Sequence, residues 1–507
     1  MKSAYRIAAA VGLAALIAAP AMAQKSKDTL RLPIEDPFSS FDSYLYPNDE
    51  VGDFVRNMYS NLIAYDEHTG KYVPDLAKAW RRIDPTTLEF DLREDVTFHS
   101  GNKFTSDDVK YMFDYLKDPA SKIRFPQRYT WVKEVETMGP YKLRIVTNGV
   151  YATDMSTIAY RIFQYDSKIH KQNPENFGRV SASGSGPFKM VSLDRNAGNV
   201  VERFDGFFGS PYRRAPIKRI HAIPMADEQT QIAQLLTGGL DVLRNVTGDN
   251  ARELAGKPNI KITAAGSKQL IYILLDAQGR SPNKVFTDER VRKAFMMAID
   301  RERIIKTFVA GGELAEQPAA ICFKSTVACA PTTQPIAYDP AGAKKLLAEA
   351  GHPDGVDITL SVYNPINDIA IALSGELRKV GFRASVEPLP TSVYVKKRDD
   401  GGMTAFMATY PTGAQPTLDN LLDLFFVGNR DYWKDPVIAE AMKEGAMVQD
   451  EVARGKIYAR AIDQVNQKAY IYPFSELPIV YAHTSEVRIE ANPLTTGERR
   501  IGDYFWN

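Results

Sequence analysis

The sequence predicts a mixed α/β protein of several domains, and three observations carry that expectation. Strand-like and helix-like segments alternate irregularly along the chain. The 507 residues exceed what a single domain of roughly 100–200 residues needs, so two to four units are expected. The composition is that of an average soluble globular protein: 44% hydrophobic, 25% charged and 10% aromatic. This composition excludes intrinsic disorder, a fibrous rod and a polytopic membrane protein. With 63 Lys+Arg against 62 Asp+Glu, the net charge of +1 gives no bulk field to attract phosphates, which argues against nucleic-acid binding.

The first segment reads as a leader rather than as part of the fold. Lys2 and Arg6 form a short basic start, residues 7–19 are apolar without interruption by charge, and Ala21-Met22-Ala23 forms an A-x-A cleavage pattern before Gln24. The apolar run is about 13 residues, short of the roughly 20 that span a bilayer. No cysteine follows the cleavage site, which argues against a lipid anchor there. Cleavage removes Lys2 and Arg6, leaving 484 residues with 61 basic against 62 acidic side chains, a net charge of −1. Later segments are all too short or too polar to span a membrane, so the mature chain is expected to be soluble.

Short strands are expected at 88–92, 141–147, 188–191 and 271–275. Thr105 with Asp108 forms a capping-box-like start for a helix carrying Val109, Met112, Phe113 and Leu116 at helical spacing. Further helices are expected at 227–236, 288–310 and 340–350, each followed by glycine. Cys322 and Cys329 are separated by six residues in a loop-like stretch; in an oxidising compartment such a pair forms a disulfide, which contributes on the order of 2–3 kcal/mol, mostly by local stiffening.

Catalytic and metal signatures are absent from the sequence pattern. His68, His99, His170, His221, His352 and His483 make no HxH, HExxH or i,i+4 pair. Ser183-Gly184-Ser185-Gly186 fits neither GxSxG nor a phosphate loop, and its glycines are expected to serve a tight turn. The cluster Lys396-Lys397-Arg398-Asp399-Asp400 reads most simply as a solvated helix end. No enzyme activity and no cofactor are expected.

Several segments together resemble the extracytoplasmic solute-binding proteins of peptide-type ABC importers, the dipeptide/oligopeptide/nickel-binding family. Residues 69–80 (TGKYVPDLAKAW) are similar to its G-x-x-x-P-x-L-A-x-x-W stretch. Residues 90–109 (FDLREDVTFHSGNKFTSDDV) resemble its L-R-x-x-V-x-F-H-x-G-x-x-F-T-A-x-D-V signature. Ser185-Gly186-Pro187-Phe188, the stretch 235–241, the stretch 288–304 and YDPAGAKKLLAEAG at 338–351 follow in the family's order, so the resemblance spans roughly residues 41–430. It implies a two-lobed periplasmic binding protein fold of type II, in its large cluster C form, with an extra subdomain in the first lobe. The implied division is a leader at 1–23, the first lobe at 24–60 and 181–268, the extra subdomain at 61–180, the second lobe at 269–478 and a return to the first lobe at 479–507. It also implies a small-molecule ligand trapped as the lobes close, an inner-membrane ABC permease as partner, a monomeric state and a periplasmic location.

The resemblance places ligand contacts in three regions: Tyr46, Asn48 and Asp49 in an early loop, Tyr272 on a hinge-side strand, and Tyr410, Thr412, Gln415 and Asp419 in a second-lobe stretch similar to G-W-x-x-D-x-x-D-P-D-N. Arg93 and His99, in the signature stretch, are expected to be structural. Arg398 stands where oligopeptide binders carry a basic residue and is a candidate for a ligand carboxylate. The chain departs from the peptide binders after Tyr410, which replaces tryptophan, because no carboxylate follows until Asp419. A buried ammonium without a counter-ion costs several kcal/mol. Either Asp49 or Glu50 supplies the pairing, or the ligand lacks a peptide-like amino terminus. The expected ligand is therefore peptide-like or otherwise amphoteric; an opine, an oligosaccharide or a metal chelate is the alternative, and a secreted hydrolase using Ser185 a remoter one.

Overall fold

Apolar cores in each of two lobes, joined by a long pair of strands, organise the computed structural model. It describes residues 28–35, 37–47, 49–313, 315–323, 326–363, 366–411, 417–490 and 500–507, without the side chains of residues 49, 266–268, 391 and 411. The leader assigned at 1–23, together with Asn48, Thr412 and Gln415, lies outside the described residues.

The first lobe is built on a four-stranded sheet. Thr29–Ile34 pairs in parallel with Arg219–Pro224, which continues antiparallel to Gly198–Arg203 and Phe188–Asp194. A second four-stranded sheet has the spatial order Ala77–Asp84, Thr87–Leu92, Lys142–Thr147, Val132–Thr137. Its apolar face shares one core with the first sheet, through Leu30, Phe54, Phe90, Phe113 and Ile145. The helix Ser106–Lys117 covers this core, and Asp108 accepts the Thr105 backbone N–H at 2.9 Å, the capping interaction expected from the sequence.

The largest sheet runs Val242–Arg244, Ile471–Thr484, Ile260–Leu275, Ala405–Pro411, Val356–Tyr363, Phe382–Leu389. Its two long strands cross from one core to the other. Their pairing slips midway: Ala265 faces Ile479, but the next partners are Gln269 and Leu477. Three residues on one strand thus oppose one on the other, and the ladder is interrupted where the two cores meet. Beyond the slip, Ile271, Ile273, Phe295, Leu360 and Leu377 form a second-lobe core, and Tyr272, Tyr410, Leu422 and Phe425 form its neighbour on the other sheet face.

Two local expectations change. The helix expected over 288–310 is two helices, Glu289–Met297 and Arg301–Phe308. Asp300 accepts the Arg303 backbone N–H at 3.0 Å and so caps a second start inside a continuous helical pattern. The glycines at 184 and 186 serve close approach rather than a left-handed turn. A Cβ on Gly184 would stand 2.2 Å from Met58 O, and one on Gly186 2.4 Å from Asn57 O. Ser185 is fully buried and its hydroxyl has no hydrogen-bond partner among the described residues, while both His99 ring nitrogens face backbone groups, of Gly184 and Gly186. Burial holds the His99 pKa down to about 4.

The disulfide Cys322–Cys329 is formed, with Cα atoms 6.2 Å apart. Among the described residues, no group of three or more His, Cys, Asp or Glu side chains could hold a metal ion, and no helix is long and apolar enough to cross a membrane.

Candidate functional site

The first-lobe wall of the cleft grows from two segments that lock together. In the early loop, Asp42 is fully buried and accepts N–H bonds from Tyr44 at 2.8 Å and Leu45 at 3.1 Å. Burial outweighs these bonds and raises its pKa to about 6. The turn so formed carries Tyr44 to the end of the helix Asp154–Arg161, where its hydroxyl donates to Phe163 O at 3.0 Å. Asn61 donates to the neighbouring carbonyls of Ile158 at 3.2 Å and Ile162 at 3.0 Å. Carbonyls left over at a helix end thereby find partners, and the terminal residue, Arg161, is fixed.

Arg161 is a half-buried cation among aromatic rings. Burial, and then the neighbouring Arg128, lower its pKa to about 10; Tyr129, Tyr151 and, from the second lobe, Tyr410 lie within electrostatic reach. Arg128 lies 4.0 Å above the Phe125 ring. Trp131 stacks on Tyr151 at 4.8 Å, and Tyr129 meets Tyr44 edge-on at 5.9 Å. Arg128, close enough to disfavour the charge on Arg161, adds to a local positive potential in a chain with almost no net charge.

The second-lobe wall is aromatic, with Arg398 and Arg430 within electrostatic reach of Tyr272. Leu270 pairs with Tyr410 and Tyr272 with Ala408, which places both tyrosines on one face of the sheet at diagonal positions. Both are buried against Phe425, whose ring centre is 5.0 Å from Tyr272 and 6.1 Å from Tyr410. Burial raises each tyrosine's pKa to about 12, so both stay hydrogen-bonding phenols at neutral pH. Asn420, on the helix Leu418–Phe426, donates to the Tyr410 hydroxyl at 3.0 Å.

One carboxylate of this helix, Asp419, is already engaged. Asp419 accepts the Tyr458 hydroxyl at 2.6 Å and stands 3.4 Å from Arg454 Nε. Arg454 is fully buried, and its Nη1 donates to Ala152 O in the first lobe at 2.9 Å and to Val448 O at 2.9 Å. The same helix, Glu451–Gln467, touches the first lobe again through Glu451, which accepts the Tyr72 hydroxyl at 2.6 Å. Gln449, just before it, donates to Pro85 O at 2.8 Å. The lobes therefore meet at a polar latch beside the aromatic cleft.

The sequence-derived candidates fall into three groups. Tyr272, Tyr410 and Asp419 come together as one wall, Asp419 being tied to Tyr458 and Arg454. Arg398 is turned inward rather than solvated: its side chain is 14% exposed, its Nε donates to Asp399 at 2.8 Å, and Tyr272 lies within its electrostatic reach. Tyr46 stands apart in the first lobe, with Arg179 4.4 Å above its ring. Asn48, Thr412 and Gln415, and the Asp49 side chain, lie outside the description. Glu50 is not available to an ammonium group, because its carboxylate meets the buried Arg244 at 2.5 Å and Asp53 shares that arginine. Sequence reasoning does not single out Arg128, Arg161, Asn420 or Arg454. Arg161 and Arg454 are held partly by groups remote in sequence, and no local spacing marks them.

A two-lobed frame joined by crossing strands is the architecture of a solute-binding protein. The chain belongs to the family described as bacterial extracellular solute-binding proteins, family 5 Middle, whose model matches residues 71–433. It is 25% identical over 503 residues to a glutathione-binding protein, GsiB, of Salmonella paratyphi A, covering 94% of each chain. Among solved structures it is similar to NikA from Brucella suis in complex with Fe(III)-EDTA, with TM-score 0.80 and 21% identity over 94% of this chain and 100% of that one. It is also similar to the periplasmic binding protein DppA from Helicobacter pylori in complex with the peptide STSA, with TM-score 0.71 and 19% identity over 95% of this chain and 99% of that one.

Proposed function

We propose that the chain captures a small amphoteric organic solute bearing at least one carboxylate, and that the carboxylate is met by Arg161 and Arg128. One observation carries this reading: Arg161, with Arg128 beside it, lies within electrostatic reach of Tyr410 of the second lobe, while Asp419 and Glu50 are engaged with internal arginines. A guanidinium binds a carboxylate through parallel N–H bonds, and tyrosines flank an organic chain with both ring face and hydroxyl. The relative that binds glutathione and the neighbour seen with Fe(III)-EDTA both take polycarboxylates, which supports this ligand class. Closure around the ligand shifts an open–closed equilibrium, and the closed form is handed to an ABC permease after export to the periplasm. The division into lobes at 268/269 and 478/479 is supported by the pairing slip between Ala265/Ile479 and Gln269/Leu477.

Native mass spectrometry of the protein purified from its own host tests the reading first, by identifying a co-purified solute. Thermal denaturation with glutathione, S-methylglutathione, tripeptides, opines and metal–polycarboxylate chelates follows. A ligand at 100 times its Kd adds about 2.7 kcal/mol of stability. A stabilising compound without any acidic group, with carboxylates inert, refutes the assignment.

A further inference from the structure

The disulfide loop does more than close a small ring. Cys322 and Cys329 both belong to the second-lobe core around Tyr272 and Phe425. The loop between them is folded by Thr326, whose N–H donates to Phe323 O at 3.0 Å and whose carbonyl accepts from Cys329 N at 3.0 Å. Its hydroxyl accepts from Phe323 N at 3.1 Å. Val327, the next residue, leaves that core. It is 3% exposed and packs into the first-lobe core, among residues that otherwise come from the first lobe. Ala328, in a left-handed conformation at φ +65°, lies against both cores and beside Gly455 of the helix Glu451–Gln467.

The same tip supports the ligand-side helix. Val327 bridges Thr417 in parallel, and its carbonyl accepts the Leu418 N–H at 3.0 Å. Thr417 is the N-cap of Leu418–Phe426, the helix that carries Asp419 and Asn420. A helix's first N–H groups have no partner within the helix. Here a loop from outside supplies one, and the same residue's side chain is held by the opposite lobe.

We propose that the Cys322–Cys329 loop is a strut between the lobes: the disulfide fixes its base in the second lobe, and Val327 plugs the first lobe and positions the helix that holds Asn420 and Asp419. Lobe closure and the placement of the Tyr410 wall are thereby coupled through one short, cross-linked loop. This rests on the reading that the lobes close on a solute, but its mechanical content is visible without any ligand. A disulfide that only stiffens its own small ring would affect stability alone.

The test uses the full-length mature protein and two variants, the double substitution Cys322→Ser with Cys329→Ser, and the single substitution Val327→Ser, which leaves the disulfide intact. Amide hydrogen exchange on ligand-free protein is the deciding measurement. Exchange through the first turn of Leu418–Phe426 should quicken about tenfold or more in both variants, with the strands Ile260–Leu275 and Ile471–Thr484 unchanged. Small-angle scattering should show the mean lobe separation rising in both. Calorimetry with S-methylglutathione, which has no thiol to attack the disulfide, should show at least fivefold weaker binding if that compound binds the parent protein. A lowered melting temperature with unchanged exchange in that helix and unchanged scattering overturns the strut. Failure of S-methylglutathione to bind the parent leaves the test of the strut intact, since exchange and scattering decide it without that compound.

Discussion

The two walls of the cleft are made in opposite ways. The first-lobe wall presents charge: Arg161 ends a helix whose last carbonyls are taken by Tyr44 and Asn61, and Arg128 adds a second guanidinium. The second-lobe wall presents phenols, with Asp419 bound to Tyr458 and set against Arg454, and with Arg398 and Arg430 near Tyr272. In the proposed function a ligand carboxylate meets these guanidiniums through parallel N–H bonds. A carboxylate already paired inside the protein offers an incoming ammonium little. In the proposed function, selectivity in a chain of net charge +1 lies in the arrangement of a few groups and not in the bulk field.

Breaking the second wall's internal pairing should have the largest effect. Arg454→Ala leaves Asp419 without its nearest cation and strips a donor from Ala152 O and Val448 O. A loss of about 3–5 kcal/mol is expected in chemical denaturation, as for other broken buried pairs. Arg454→Lys should recover only part of it, because a single ammonium cannot span the two lobes in the same way. A loss below about 1 kcal/mol, the level of an exposed pair, would mean that the latch is not formed in solution.

Removing the first wall's charge should leave the fold and cost affinity. Arg161→Gln is expected to weaken a carboxylate ligand about 30-fold to 100-fold in calorimetry, in line with the roughly 2–5 kcal/mol lost when one partner of a buried charge pair is truncated. The melting temperature of the ligand-free protein should move little. Equal affinity for the acid and for its methyl ester in the parent protein would show that the first wall does not bind the carboxylate by its charge.

The buried Asp42 beneath that wall gives a pH signature. Its pKa in the folded protein is raised from 3.8 to about 6. Between these values the folded chain keeps a proton that the unfolded chain releases, so this group's contribution to stability is fully present below pH 3.8. It is lost as pH rises through about 6, and is flat above that. Two units correspond to about 3 kcal/mol at most. Asp42→Asn should remove this component from the difference between parent and variant stability curves over that interval; parallel curves would contradict it.

The smallest effect is expected on the aromatic second-lobe wall. Tyr410→Ala should weaken the ligand by about tenfold or more, and Tyr410→Phe by about threefold, since the ring remains and only the hydroxyl that Asn420 supports is lost. Unchanged affinity in both would remove this residue from the site.

Legibility from sequence differs between these regions for a physical reason. The capping box at Thr105, the strands at 87–92 and 142–147 and the paired cysteines depend on residues a few positions apart, and they are readable. The apparent helix over 288–310 misleads, because Asp300 can interrupt a helix by capping a new one without disturbing the apolar spacing. Tyr272 and Tyr410 are reachable through family resemblance. Arg161 is not, since its importance comes from Tyr44 and Asn61 holding its helix end and from Arg128 and Tyr410 lying near it.

By itself the sequence determined the class of fold, the family and the bonding partners of its cysteines, because these rest on local patterns and ordered motifs. Only the tertiary structure decided which carboxylates are committed to the interior and which cations gather at the cleft. Glu50 and Asp419 are as acidic in the sequence as any other carboxylate; Arg244 and Arg454, brought from 194 and 35 residues away, commit them to the interior. Charge availability depends on long-range pairing and burial, and neither is written in the neighbours of a residue along the chain.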